Sequence, residues 1–176
     1  MSNVDTVTPE EKIVNAKFVC YHNSIGKAEY DSLGYTEAVG MSVPKDKVEA
    51  FASEYFSLYG SDSERPDKGD RGAQYRSIIG IPGGMQSDLL PAVEKALAKS
   101  GKSLTLVAGK GNDKDTLGKK VVWVMDTSTY PFKQGELYHQ FHDGFMPGEQ
   151  YGGQYHQTVK TLLAVGKLQP SGCPDF

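Results

Sequence analysis

The 176-residue sequence is poor in cysteine and tryptophan and contains no long hydrophobic run. Its two cysteines exclude a fold that is held together by several disulfides. No apolar stretch approaches the roughly 20 residues that are needed to cross a bilayer. An excess of one charge is lacking too, because 19 basic and 22 acidic residues leave a net charge of -3. Membrane insertion and nucleic-acid binding are therefore not expected.

The composition that remains is that of a globular protein, with 38% hydrophobic residues. A chain of this length buries a core of its own. We therefore expect a single domain over residues 1–176, with flexible termini at 1–15 and 166–176. The segment Met1–Glu11 lacks the cationic and apolar regions of a signal peptide, which favours a cytoplasmic location.

Hydrophobic periodicity predicts an α+β protein. Apolar side chains at helical spacing predict helices over 47–58, 85–99 and 155–165, and Thr8–Glu11 has the pattern of a helix start. Branched and aromatic runs predict strands over 16–21, 35–43, 78–81, 104–107 and 120–125. The glycine-rich stretch 109–118 predicts a hairpin loop between the last two strands. Together these elements predict a two-layer sandwich with one mixed sheet covered by helices.

One polar loop directly precedes the apolar strand predicted over 78–81. It reads Gly-Asp-Arg-Gly-Ala-Gln-Tyr-Arg-Ser over residues 69–77, and its two glycines permit an irregular backbone that holds Asp70 close to Tyr75. Such a loop on a rigid support is a common carrier of functional groups. The same pattern also fits a solvated turn in which Asp70 caps the backbone and Tyr75 packs.

Three motifs in this order resemble the A-type peptide methionine sulfoxide reductases. They are Gly-Tyr-Thr-Glu-Ala-Val at 34–39, Asp-x-Gly-x-Gln-Tyr-Arg-Ser at 70–77 and Gly-Glu-Leu-Tyr-His-Gln at 135–140. The resemblance covers about 30–140. It implies the ferredoxin-like fold of that family and peptide-methionine (S)-S-oxide reductase activity on free or peptide-bound methionine sulfoxide. It also implies a thioredoxin-like or dithiol reductant, with no metal or organic cofactor.

The resemblance implies a role for each residue that matches a motif. Glu37 matches the acid that protonates the departing oxygen, which needs a carboxyl with a raised pKa. Tyr75 matches the phenol that hydrogen-bonds the sulfoxide oxygen, Asp70 holds the loop, and Tyr30 stands in for a second tyrosine. An outward-facing Glu37 on a sheet is the simpler alternative.

Two interpretations remain open for Cys20, which ends the first predicted strand. The family places its nucleophilic thiolate there, in Gly-Cys-Phe-Trp, whereas this chain has Val-Cys-Tyr-His at 19–22. Cys20 is either a working nucleophile assisted by His22, or a buried structural thiol in a protein that kept the fold and lost the reaction. Cys173 lies where family members carry a resolving thiol, and is otherwise an incidental free thiol.

Two other functions compete with the reductase. A catalytically inactive member of the fold would bind a ligand or a protein partner through the Glu37 pocket and the aromatic C-terminal third, of which Phe141–Tyr155 matches no part of the family. A metal-dependent hydrolase would use His139 and His142, whose spacing allows two ligands on one helix face. Because His139 belongs to a motif that is metal-free in the family, we predict no metal.

Overall fold

A computed structural model of the chain describes residues 2–6, 34–135, 140 and 153–170, without the side chains of 2–6 and 153–156. The predicted helix start at Thr8–Glu11 and the predicted strand over 16–21 lie outside these residues.

The described part of the chain contains three α-helices and six strands. The helices are α1 (Val48–Ser57), α2 (Leu90–Ser100) and α3 (Gly153–Ala164). The strands are β1 (Ser2–Thr6), β2 (Val39–Gly40), β3 (Ile78–Ile81), β4 (Thr105–Ala108), β5 (Val121–Asp126) and β6 (Phe132–Gln134). The predicted α+β class is confirmed, and no helix of the described residues is both long and apolar enough to cross a membrane.

Three of the strands form a parallel sheet in the order β3-β5-β4, with β5 in the centre. The parallel pairing shows that the predicted hairpin at 109–118 is wrong. A hairpin joins antiparallel strands, whereas here the chain must cross from the end of β4 back to the start of β5. Residues 109–120 make this crossover without a helix of their own.

The other three strands form an antiparallel sheet in the order β2-β1-β6. The described strands thus belong to two sheets, where the sequence predicts one mixed sheet. The strand predicted over 35–43 is reduced to the two residues of β2. No prediction covers β1, which lies in the stretch that we expect to be a flexible terminus.

The main core lies between the parallel sheet and helices α1 and α2. Phe56 of α1, Val93 and Ala96 of α2, and Val122 and Val124 of β5 are all buried there. The helical spacing that predicts α2 includes Val93 and Ala96, whereas the spacing that predicts α1 does not include Phe56. Gly101 ends α2 in the left-handed conformation, as the sequence predicts.

One flank of α1 departs from the prediction. Phe51 and Leu58 share the apolar periodicity of the helix but remain exposed, Leu58 by 60%. The apolar face of α1 is therefore wider than the core that it covers, and its outer flank borders the cavity described below.

Candidate functional site

The polar loop before β3 is held in place by contacts from distant segments. Gly72 has a φ of 116° and donates its N–H to Asp115 Oδ2 at 2.9 Å. Residues with a Cβ atom rarely adopt this backbone conformation, so glycine is strongly favoured here. A 3-10 turn follows over Ala73–Tyr75 and turns the chain toward β3.

Arg76 connects this loop to two other segments. Its side chain is buried and donates hydrogen bonds to the carbonyl oxygens of Gly34 at 2.9 Å, Tyr35 at 3.0 Å, Ala73 at 2.8 Å and Gly111 at 2.8 Å. A planar guanidinium has enough donors for such a set. Arg76 thereby fixes the chain immediately before Glu37 against the loop that carries Asp70 and Tyr75.

The motif residues Glu37, Asp70 and Tyr75 are brought together. The backbone N–H of Glu37 donates to the carbonyl oxygen of Gln74 at 2.9 Å, which places Glu37 beside the loop. The charge of Asp70 acts on Glu37, and the charges of both carboxylates act on Tyr75. These three residues therefore lie within range of one another's charges.

Burial raises the pKa of the Glu37 carboxyl above its usual 4.5, and the negative charge of Asp70 raises it further. Glu37 is nevertheless an exposed residue, so water and a small ligand can reach it. A carboxyl with a raised pKa retains its proton to higher pH and is suited to donate it.

Asp70 belongs to a carboxylate pair that the sequence motif does not reveal. Asp67 Oδ1 accepts the backbone N–H groups of Gly69 at 2.9 Å and Asp70 at 3.1 Å. Desolvation, a side-chain hydrogen bond with Asp67 and the charge of Asp67 raise the pKa of Asp70. Arg65 opposes this increase and donates Nη2 to the backbone carbonyl of Asp70.

The phenol of Tyr75 remains a hydrogen-bond donor at neutral pH. Desolvation raises its pKa above 10.0, and the charges of Glu37, Asp70 and Asp67 add to the effect. The site thus combines a carboxyl of raised pKa with a neutral phenol. This pair suits a ligand that presents an electron-rich oxygen.

Glu37 and Arg76 lie at one end of a cavity of about 770 Å³. The cavity extends along β3 on one side and along α1 on the other, and most of its lining is apolar. Sequence reasoning missed both this cavity and the structural role of Arg76. A signal for Arg76 is its position between a polar loop and a buried strand, where a charged side chain must find partners.

Several predicted site residues fall outside the described part of the chain. These are Cys20, Tyr30 and Cys173, together with His22, His139 and His142. The described residues contain no group of three or more histidine, cysteine, aspartate or glutamate side chains that could hold a metal ion.

Comparisons with known proteins returned no relative: no family model, no curated protein and no solved structure matches the chain.

Proposed function

We propose that this protein is a thiol-dependent oxidoreductase that reduces methionine sulfoxide, free or in peptides. One observation carries the proposal: Glu37, with its raised pKa, lies against the loop that supplies the phenol of Tyr75. The sulfoxide oxygen needs a proton as it leaves sulfur, and a donor pair of this kind supplies and stabilises it.

In this proposal Cys20 is the nucleophile. Its thiolate attacks the sulfoxide sulfur, Glu37 donates a proton to the oxygen, and the oxygen passes to the Cys20 sulfur as a sulfenic acid. The substrate sulfur gains two electrons and becomes a thioether, while the Cys20 sulfur loses two. Tyr75 and Tyr30 hydrogen-bond the oxygen during this step, and Asp70 holds the loop.

Cys173 completes the cycle. Its thiolate attacks the sulfenic sulfur of Cys20, a disulfide forms, and the oxygen leaves as water after it takes up a proton. A thioredoxin-like protein or a small dithiol then reduces the disulfide by thiol–disulfide exchange. The cycle needs no metal or organic cofactor.

We also propose the ferredoxin-like two-layer fold of the A-type reductases for this chain. The α+β architecture and the position of the motif loop directly before β3 support this. Reductive repair of oxidised proteins is the role that follows from such a fold and activity.

The second candidate is a catalytically inactive member of the same fold that binds a partner. One observation favours it: the cavity beside Glu37 is far larger and more apolar than a single sulfoxide group requires. The two candidates differ in the reactivity of Cys20.

Trapping of the sulfenic acid tests the reductase proposal. The Cys173→Ser variant is incubated with N-acetylmethionine sulfoxide and dimedone without reductant, and peptides are analysed by mass spectrometry. We expect a dimedone adduct on Cys20 that does not form with N-acetylmethionine and forms more slowly when Glu37→Gln is added. An unlabelled Cys20 in the folded protein would contradict the proposal.

A further inference from the structure

Exposed apolar side chains are concentrated along one groove of the molecule, which is the cavity beside Glu37. Five large apolar residues that line it are more than a third exposed: Val39, Met41, Phe51, Leu58 and Phe132. Exposed apolar patches of this kind mark interaction surfaces in soluble proteins. Val165 is as exposed as Leu58 but lies outside the groove.

One wall of the groove is the edge of β3 that pairs with no described strand. The carbonyl oxygens of Ser77 and Ile81 accept hydrogen bonds from Trp123 at 3.0 Å and Thr127 at 3.2 Å, so these two residues face β5. Because backbone groups alternate along a strand, the N–H and C=O groups of the residues between them, Ile78 and Gly80, point to the opposite edge. No described strand pairs with that edge.

The opposite wall of the groove is the outer flank of α1, with Phe51 and Leu58. A strand edge with unpaired backbone groups and a facing apolar helix form the geometry that accepts an added strand. A lipid chain would fill the apolar volume but would leave the backbone of Ile78 and Gly80 without partners. An extended polypeptide can both hydrogen-bond to the backbone of Ile78 and Gly80 and pack apolar side chains against α1.

The charged residues at one end of the groove indicate which charge the partner carries. Glu37 lies at the amino end of β3, since its N–H is bonded to Gln74 just before that strand. Arg65 and Arg76 line the same end, but Arg76 is buried and the Arg65 side chain is only 11% exposed. Glu37 is exposed and is therefore the charged side chain at this end of the groove that a partner can reach. A basic side chain of the partner would pair with its carboxyl.

We propose that the groove binds an extended, apolar segment of a partner protein, which adds a strand to β3 and places a basic residue beside Glu37. β3 has four residues, so the bound segment is short. The proposal stands on the groove and the strand edge and does not depend on the thiol chemistry.

The test uses the full chain and fluorescein-labelled peptides of alternating threonine and valine, with lysine at either end, in a fluorescence anisotropy titration. Two analogues carry N-methyl groups on one or the other alternate set of residues. Because only every second N–H faces β3, we expect one analogue to lose about tenfold or more in affinity and the other to retain it.

Variants of the chain locate the binding. Phe51→Glu should weaken binding of the unmodified peptide by about tenfold or more, whereas Val165→Glu should leave it unchanged. Circular dichroism confirms that both variants fold. No Phe51-dependent binding up to millimolar peptide, or equal binding of the two methylated analogues, overturns the proposal. Displacement of the unmodified peptide by dodecanoate, together with equal binding of the two methylated analogues, would identify a lipid site instead.

Discussion

The backbone N–H of Glu37 donates a hydrogen bond to the carbonyl oxygen of Gln74 at 2.9 Å. This bond joins two segments that are almost forty residues apart in the chain. It places the carboxyl with the raised pKa beside the loop of Asp70 and Tyr75. The proposed chemistry depends on this junction, and Arg76 supports it from the buried side.

Glu37→Gln should change how stability depends on pH. Because the pKa of Glu37 in the folded protein is raised above 4.5, the protonated carboxyl makes its full contribution to the free energy of unfolding below pH 4.5. The contribution is lost as pH rises through the folded pKa. Relative to the wild type, the variant should therefore gain stability between pH 4 and pH 8 in urea unfolding.

A second glutamate provides the control for this experiment. Lys95 and Lys99 lower the pKa of Glu49, so its contribution is present above 4.5 and is lost as the pH falls. Glu49→Gln should consequently lose stability relative to the wild type as the pH rises toward 4.5, with little further change up to pH 8. A Glu37→Gln variant that likewise shows no trend above about pH 5 would show that Glu37 is an ordinary exposed carboxylate.

Arg76→Met should destabilise the fold by about 3 kcal/mol or more, because it leaves the buried carbonyls of Gly34 and Gly111 without their donor. Arg71→Met, at an exposed position of the same loop, should change stability by less than about 0.5 kcal/mol. Denaturant unfolding followed by the fluorescence of the single tryptophan, Trp123, measures both. Equal losses would refute the connecting role of Arg76.

Gly72→Ala and Gly101→Ala compare two degrees of backbone strain. Both glycines have positive φ, 116° and 67°, but Gly101 lies in the left-handed helical region, whereas Gly72, with a ψ of 170°, lies in a region that is essentially restricted to glycine. We expect Gly101→Ala to cost about 1 kcal/mol, and Gly72→Ala to cost clearly more. Thermal unfolding of the two variants measures the difference, and a smaller cost at Gly72 would contradict the loop geometry.

Replacement of two buried threonines by valine should have opposite effects on stability. The Thr36 hydroxyl is fully buried and has no hydrogen-bond partner among the described residues, so Thr36→Val should stabilise the protein by about 1 kcal/mol. Thr116 Oγ1 accepts the backbone N–H of Ser77 at 2.8 Å, so Thr116→Val should cost about 1–3 kcal/mol. Urea unfolding of both variants measures the two changes in stability. Equal changes would contradict the difference in hydrogen bonding between the two threonines.

Local sequence patterns predict the elements that depend on local interactions. β3 is confirmed at 78–81 because an isoleucine-rich run lies between a polar loop and a proline. The apolar spacing and the glycine cap predict α2 and its end, but the helix begins at Leu90 and not at residue 85, because a 3-10 turn occupies Gly84–Gln86. Local sequence does not determine whether β4 and β5 run parallel or antiparallel, so the glycine-rich stretch at 109–118 has the pattern of a hairpin loop although the strands are parallel. β1 is polar, and only its pairing with β2 and β6 makes it a strand.

The site is predicted only where a motif covers it. The motifs at 34–39 and 70–77 indicate that Glu37, Asp70 and Tyr75 belong together, and the structure places the two segments side by side. Asp67 and Arg65 lie in a charged loop without periodicity, so their effect on Asp70 follows only from the fold. The groove is likewise a tertiary feature, since the apolar face of α1 has the same pattern whether its flank is buried or open.

Turnover of dabsylated methionine sulfoxide with dithiothreitol tests the central claim most directly. The account predicts that the wild type forms the thioether over many turnovers and that Cys20→Ser forms none, although it is folded by circular dichroism. The absence of turnover in the folded wild type, or equal turnover in Cys20→Ser, would contradict the reductase function.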